Sequence, residues 1–502
     1  MKHFLKKIIV LPWHALSWLR GVIANLLMLV VLIIFLLGTF GKGNNTLPDN
    51  AVLIVQPGTL IVEQRSYDDP LKNIMNANEE KTGESVLHEM ASAIRWARYD
   101  NNIKAMAIKT DWLSGSDLGK LETLGKAITE FKASGKPVIA IGDNFSQSQY
   151  YLASMADKIY LNPMGSVQIY GFGAYQSYMK DLLDKLAVTV HIFRAGQFKS
   201  FVEPFIRNDM SPEARENLSQ WMDEQWARYR TTIEQQRKLE PGSIDNFVNH
   251  QDQLLAENGN SAANLALKYG LVDILASRSE TQKTMDDQFG KDAETVDATW
   301  YYQHVRNRKE ASNLMKPTKR IAVIHASGQI VEGDQPTGTV GAETLIRLIR
   351  NAKEDDNIAA IVLRIDSPGG SAFASELIRS ELAAAQAAGK PVVASMGGVA
   401  ASGGYWIAAS ANEIWAAPAT ITGSIGVFGV IPTLENTLGK VGIHSDGYST
   451  TALADAMQLD RPMNPLAARV LQQGVDFTYG EFLKLVAVGR KQSPDAINRI
   501  AQ

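Results

Sequence analysis

The chain has 502 residues, enough for two or three domains with cores of their own. Its 50 lysines and arginines against 53 aspartates and glutamates leave a formal charge of −3, which offers no basic footprint for a nucleic-acid partner. It contains no cysteine, which excludes a disulfide framework, a thiolate metal site and a cysteine nucleophile.

Gly21 to Phe40 runs for twenty residues without a charge, the length of helix that spans a bilayer's hydrocarbon core. Lys2, Lys6, Lys7 and Arg20 precede it, and Lys42 alone follows closely. The positive-inside rule therefore predicts a single-pass inner-membrane anchor, with a cytoplasmic N-terminus and the bulk of the chain in the periplasm. Leu37-Gly38-Thr39-Phe40 lacks a small-x-small pattern, which argues for an uncleaved anchor over a removable signal.

Beyond the anchor the sequence repeats itself. Asn102 to Asp111 (NIKAMAIKTD) matches Asn357 to Asp366 (NIAAIVLRID), and Gly135-Lys136-Pro137-Val138 matches Gly389-Lys390-Pro391-Val392. Tyr150 to Tyr160 then parallels Tyr405 to Trp415, about 255 residues on. Each copy opens on an apolar strand, Val52 to Val55 or Ile321 to Ile324, followed by a Val-Glu pair at Val62-Glu63 or Val331-Glu332. Short apolar strands alternate with helical stretches such as Glu84 to Ala97 and Thr344 to Lys353, which predicts an α/β fold with parallel strands. A long helix is predicted from Ser211, its N-cap, through Pro212 to Gln236. The expected division is an N-terminal segment and anchor over 1–45, a first repeat over 46–280, a polar helical connector over 281–318 and a second repeat over 319–502.

The chemistry concentrates in copy two. Ala400-Ala401-Ser402-Gly403-Gly404-Tyr405 follows a buried apolar run and opens an Ala-rich helix. Ser402 at that corner is either a helix cap or a nucleophile presented at the positive end of a helix. Its counterpart in copy one is Gln147. Copy one instead carries Lys199, where copy two has Thr450, and Phe193, Phe198, Phe201, Val202 and Phe205 surround it in sequence. Desolvation there would lower the amine's pKa and let it take a serine proton, whereas a solvated loop lysine is the bland alternative. A serine in one copy and a lysine in the other suggest one composite site. Asp366-Ser367-Pro368-Gly369-Gly370 ends a strand, and its glycines can aim backbone N–H groups as an oxyanion hole requires, or can simply form a Pro-Gly turn. Thr422-Gly423-Ser424-Ile425-Gly426 forms a further loop, in which Ser424 can orient the lysine. The histidines at 88, 191, 250, 304, 325 and 444 fall in no triad context, and no His-Glu-x-x-His metal motif is present.

Taken together, Asp366 to Gly370, Ala400 to Trp406, Thr422 to Gly426 and Lys199-Ser200 with Glu203-Pro204-Phe205 resemble the signal peptide peptidase A (protease IV) family of membrane-anchored serine peptidases, in its long duplicated form. The resemblance covers nearly the whole chain. It implies a tandem duplication of a Clp-protease/crotonase-like domain, a Ser402/Lys199 dyad without a cofactor or metal, and oxyanion donors from Gly369, Gly370 and Gly403. It further implies a homotetramer that degrades cleaved signal peptides and other unfolded peptides at the inner membrane. One departure is expected: copy one runs on through Ala263 to Asp273, and the counterpart of that segment in copy two would lie beyond Gln502, leaving the second copy short. Two rivals stand beside this reading, a non-catalytic membrane scaffold and a crotonase-type acyl-CoA enzyme.

Overall fold

A computed structural model of the chain describes residues 18, 20–30, 32, 47–66, 83–196, 199–290, 293–312, 319–451, 453, 454, 456 and 458–501. Residues 1–49 form one unit and residues 50–502 another. In the first, residues 20–30 are helical. Residue 31 and residues 33–40 of the expected membrane span lie outside the described residues, and no described helix is long and apolar enough to cross a membrane.

In the second unit the runs of branched residues form buried parallel strands. These are β1 (Ala51–Val55), β2 (Ile103–Lys109), β3 (Val138–Gly142) and β4 (Lys158–Leu161), interleaved with α1 (Leu87–Ala97), α2 (Leu118–Lys132) and α3 (Gln147–Ala153). All five residues of β1 are buried, as expected for a strand covered on both faces. Next come β5 (Thr189–Ala195) and α4 (Pro212–Arg237). Helix α4 starts where its sequence says it should: Ser211 Oγ accepts the Ala214 N–H at 3.0 Å and Pro212 takes the first turn. Two short strands, β6 (Ile274–Leu275) and β7 (Glu294–Asp297), complete a six-stranded sheet in the order β6-β4-β3-β2-β1-β7. Of the stretch read as a connector, residues 281–289 and 294–297 are built into the first half, because β7 pairs in parallel with β1, and Met285 and Phe289 of the helix Arg278–Phe289 join one core cluster with Val52 and Ile54.

The second sheet comprises β8 (Arg320–Ser327), β9 (Ile358–Ser367), β10 (Val392–Ala401) and β11 (Glu413–Trp415) in that order, all parallel, with β12 (Ile421–Gly423) also on β10. It repeats the order and sense of β1-β2-β3-β4. Ile361, Leu363 and Ile365 alternate inward from β9 against Leu345 and Ile349 of α5 (Ala342–Glu354) and Ile378 and Leu382 of α6 (Ala372–Ala387). Each of those buried aliphatic side chains contributes about 1.5–3 kcal/mol. Helix α7 (Gly403–Ala408) follows β10, and β13 (Val427–Thr433) follows β12. Helix α8 (Pro465–Arg490) echoes α4: both have 26 residues, a proline in the first turn and a left-handed lysine after the last, Lys238 and Lys491.

Among the connections that tie the halves together are a ribbon and two ion pairs. β5 and β13 form an antiparallel ribbon from Ala195↔Val427 to Thr189↔Thr433. The Arg364 guanidinium holds buried Glu63 through two bonds of 3.0 and 2.7 Å, and Lys120 of α2 reaches Asp366 of β9. Both ion pairs run from the first half to the strand that leads into the glycine loop.

Candidate active site

Ser402 occupies a sharp corner between β10 and α7. Its φ of 54° and ψ of −120° are unusual for a residue with a Cβ, and such a conformation costs on the order of 1–3 kcal/mol that the surroundings must supply. They do so by fixing both sides of the residue. The Ser402 N–H donates to Gly423 O at 2.9 Å, while its carbonyl accepts the Tyr405 and Trp406 N–H groups, each at 2.9 Å. The side chain makes no capping bond to the helix, so the cap reading fails. Its Oγ lies instead 3.1 Å from Lys199 Nζ.

Lys199 arrives from the other half of the molecule. The ribbon of β5 on β13 carries the chain to Gly196, whose φ of 103° turns it toward Ser402. Gly196 and Gly426 are in backbone contact: a Cβ on Gly426 would stand 3.0 Å from Ala195 O and 3.2 Å from Lys199 Cδ, so glycine there leaves room for the lysine stem. Nζ is 3.1 Å from both Ser424 O and Ser424 Oγ. The apolar wall differs in part from expectation. Phe193 and Val202 are buried, but Phe201 is 62% exposed with its ring tilted against Phe428 at 4.9 Å between centres, and Phe198 lies outside the described residues. The Phe428 ring centre is 6.0 Å from Nζ.

Burial with no compensating carboxylate brings the Lys199 amine down from its ordinary 10.5 to about 8. A neutral amine can accept a proton and an ammonium cannot. Activity that uses Lys199 as a base should therefore rise with pH through a midpoint near 8 and fall away below it, which a kcat/KM profile between pH 6 and 10 would measure.

The glycine loop lies beside this pair. Gly369, with φ of 100°, gives its N–H to Ser367 Oγ at 3.1 Å, so that donor is engaged within its own turn. Gly370 and Gly403 have no acceptor for their N–H groups among the described residues. They are close neighbours, since a Cβ on Gly403 would lie 3.2 Å from Gly370 N. Both line, with Ser402 and Lys199, a cavity of about 200 Å³ whose apolar side is Trp406, Phe428 and Phe482. Trp406 and Phe482 touch at 4.6 Å between ring centres, so α8 closes the pocket from a stretch that carried no signal of it in sequence. No described histidine lines this cavity. Lys199 also lines a larger cavity, of about 660 Å³, opposite Glu216, Trp221 and Glu224 of α4. In copy one, Gln147 serves to hold a loop in place, since its Oε1 accepts the Tyr170 and Gly171 N–H groups.

A hydroxyl on a strained strand-to-helix corner, a desolvated amine in contact with it and two unclaimed N–H groups are the parts of an acyl-transfer site on an α/β scaffold. The family model for Peptidase family S49 matches residues 130–290 and 384–502, the first span holding Lys199 and the second Ser402. The chain is 42% identical to "Protease 4" of Salmonella typhi over 98% of its own length and 80% of the relative's. It is 40% identical to "Protease 4" of Haemophilus influenzae, over 98% and 81%. With "Serine protease SPPA, chloroplastic" of Arabidopsis thaliana it shares 30% over 81% of its own length and 59% of the relative's. The chain belongs to the signal peptide peptidase A (protease IV) family within Peptidase family S49, and it is a serine-type protease.

Proposed function

We propose that the protein is a membrane-anchored endopeptidase that degrades cleaved signal peptides with Ser402 as nucleophile and Lys199 as general base. The observation that carries this reading is the 3.1 Å approach of Lys199 Nζ to Ser402 Oγ, made by residues 203 positions apart, one following the ribbon strand β5 and the other at the end of β10. In the first step neutral Lys199 takes the Ser402 hydroxyl proton as Oγ bonds to the scissile carbonyl carbon. The N–H groups of Gly370 and Gly403 receive the negative oxygen; Gly369 acts by shaping the turn. The Lys199 ammonium, oriented by Ser424, then gives its proton to the departing amine as the C–N bond breaks. A water then loses a proton to Lys199 as its oxygen bonds to the ester carbon, and as the C–Oγ bond breaks Lys199 returns that proton to Ser402 Oγ, releasing the acid and restoring both residues.

The aromatic wall of Trp406, Phe428 and Phe482 suits an apolar side chain next to the cleaved bond, as the hydrophobic core of a signal peptide would offer. The uncharged run from 21 to 40 supports an anchor that keeps the enzyme beside such substrates. In this reading the two halves are a tandem duplication of a Clp-protease/crotonase-like domain, and the enzyme works as a periplasmic homotetramer without metal or cofactor.

The detergent-solubilised protein should cleave a synthetic signal peptide within its apolar core, and a peptide with that core replaced by serine and glutamine at least about tenfold more slowly. Equal rates on both peptides would remove the signal-peptide assignment.

A further inference from the structure

The first turn of α2 carries a lysine, although a cation there opposes the helix dipole. Lys120 is nevertheless held with its side chain 13% exposed, and its Nζ lies 2.8 Å from both Asp117 Oδ2 and Asp366 Oδ2. Asp117 is the N-cap of the same helix and also accepts the Lys120 backbone N–H at 3.0 Å. Asp366 belongs to the other half. Burial alone would lower the pKa of Lys120, but the two carboxylates outweigh it and leave the pKa raised, so the ammonium stays charged through the working range.

Asp366 sits where the pairing of β9 with β10 breaks step. Ile365 pairs with Met396, but Ser367 pairs with Ala400, so three residues of β10, Gly397, Gly398 and Val399, stand against the single Asp366 of β9. Asp366 spans that irregularity, for its Oδ1 accepts the Val399 N–H at 3.1 Å and its carbonyl accepts the Gly328 N–H at 3.0 Å. The packing leaves no slack. A Cβ on Gly397 would stand 3.2 Å from Asp366 Cβ, and one on Gly398 only 2.7 Å from the Asp117 carboxylate. Ser402 emerges from one side of this irregularity, three residues after Val399, and Gly369-Gly370 from the other, beginning three residues after Asp366.

We propose that Lys120 is a positioning residue for the Ser402 site: it clamps Asp366 and so fixes the spacing between the Gly370 and Gly403 N–H groups from across the boundary between the halves. This rests on the Ser402–Lys199 reading. Lys120 touches neither substrate nor reacting atoms; it acts through Asp366. Removing it leaves the part-buried Asp366 carboxylate without its counter-charge, and the carboxylate turns toward solvent and drags the two strand ends apart.

The test is a double-mutant cycle on peptide hydrolysis, with wild type and Ser402→Ala measured alongside. Lys120→Met should lower kcat by about 30-fold, a fraction of the loss of an oxyanion donor, with KM changed less than about twofold and the pH midpoint unmoved. In an Asp366→Asn background, where no charge needs holding and the amide still accepts from Val399, Lys120→Met should cost less than about threefold. A loss equal in both backgrounds, or a Lys120→Met enzyme with wild-type kcat, overturns the clamp while leaving the serine–lysine reading in place. Turnover that survives Ser402→Ala overturns that reading, and the clamp with it. If Lys120→Met does not fold, Lys120→Gln, which retains an amide donor toward Asp366, takes its place in the cycle under the same criteria.

Discussion

Replacing Ser402 with alanine is expected to lower kcat by on the order of 10⁴–10⁶ without unfolding the protein, and Lys199→Ala by a comparable factor. The two losses should not multiply. In the proposed dyad each residue acts through the other, because the hydroxyl needs a proton acceptor and the amine lies 3.1 Å from it. The Ser402→Ala fold is expected to persist, since the corner is held by its backbone bonds to Gly423, Tyr405 and Trp406 and not by its side chain. Initial rates on an apolar peptide, with circular dichroism of each variant, would check this. A Ser402→Ala protein working within about tenfold of wild type would contradict the nucleophile assignment.

Gly403→Ala is the second large effect. The new Cβ would stand 2.5 Å from Ser375 Oγ and 3.2 Å from Gly370 N. Ser375 is fully buried and its hydroxyl donates to Ser371 O at 2.8 Å, so it has nowhere to withdraw. The start of α7 must move away from Gly370 instead, which opens the pair of N–H groups. A loss of about 10²–10³ in kcat is expected with little change in KM, because the defect appears only once negative charge develops on the substrate oxygen. Overpacking should also cost about 1–3 kcal/mol of stability. Gly429→Ala, where a Cβ meets nothing within 4 Å, is the control expected to keep wild-type kinetics. Equal kinetics for the two alanine variants would show that the Gly403 N–H has no part in the reaction.

Much of this site was legible in the sequence because its parts follow local rules. The buried strands β2, β3, β9 and β10 are apolar runs flanked by Gly, Pro or Asn, and the matched strands lie side by side in their sheets, β2 beside β3 and β9 beside β10. Ser402 stood out as a serine at a strand-to-helix corner with two glycines after it, and Lys199 because the equivalent position in the other copy had no lysine. What escaped notice depended on contacts between distant segments. β7 has a single buried residue, Val296, and becomes a strand only because the β1 edge is there to receive it. Of the two loop glycines, nothing local says that Gly369 spends its N–H on Ser367 and leaves Gly370 unclaimed. The aromatics nearest Lys199 in sequence proved to be only part of its wall; Phe428 and Gly426 come from the far half. Lys120 and Asp366 lie 246 residues apart, and no periodicity relates them.

The proposed mechanism depends, above all, on a lysine from one half of the chain making Ser402 of the other half reactive. The most direct measurement is mass spectrometry of the protein after exposure to a serine-directed organophosphonate at about pH 8.5, just above the Lys199 midpoint, for wild type and for Lys199→Ala. The expected result is a single adduct mapped to Ser402 in the wild type and none in Lys199→Ala over the same time. An adduct on another serine, or equal labelling of Ser402 in both proteins, would contradict it.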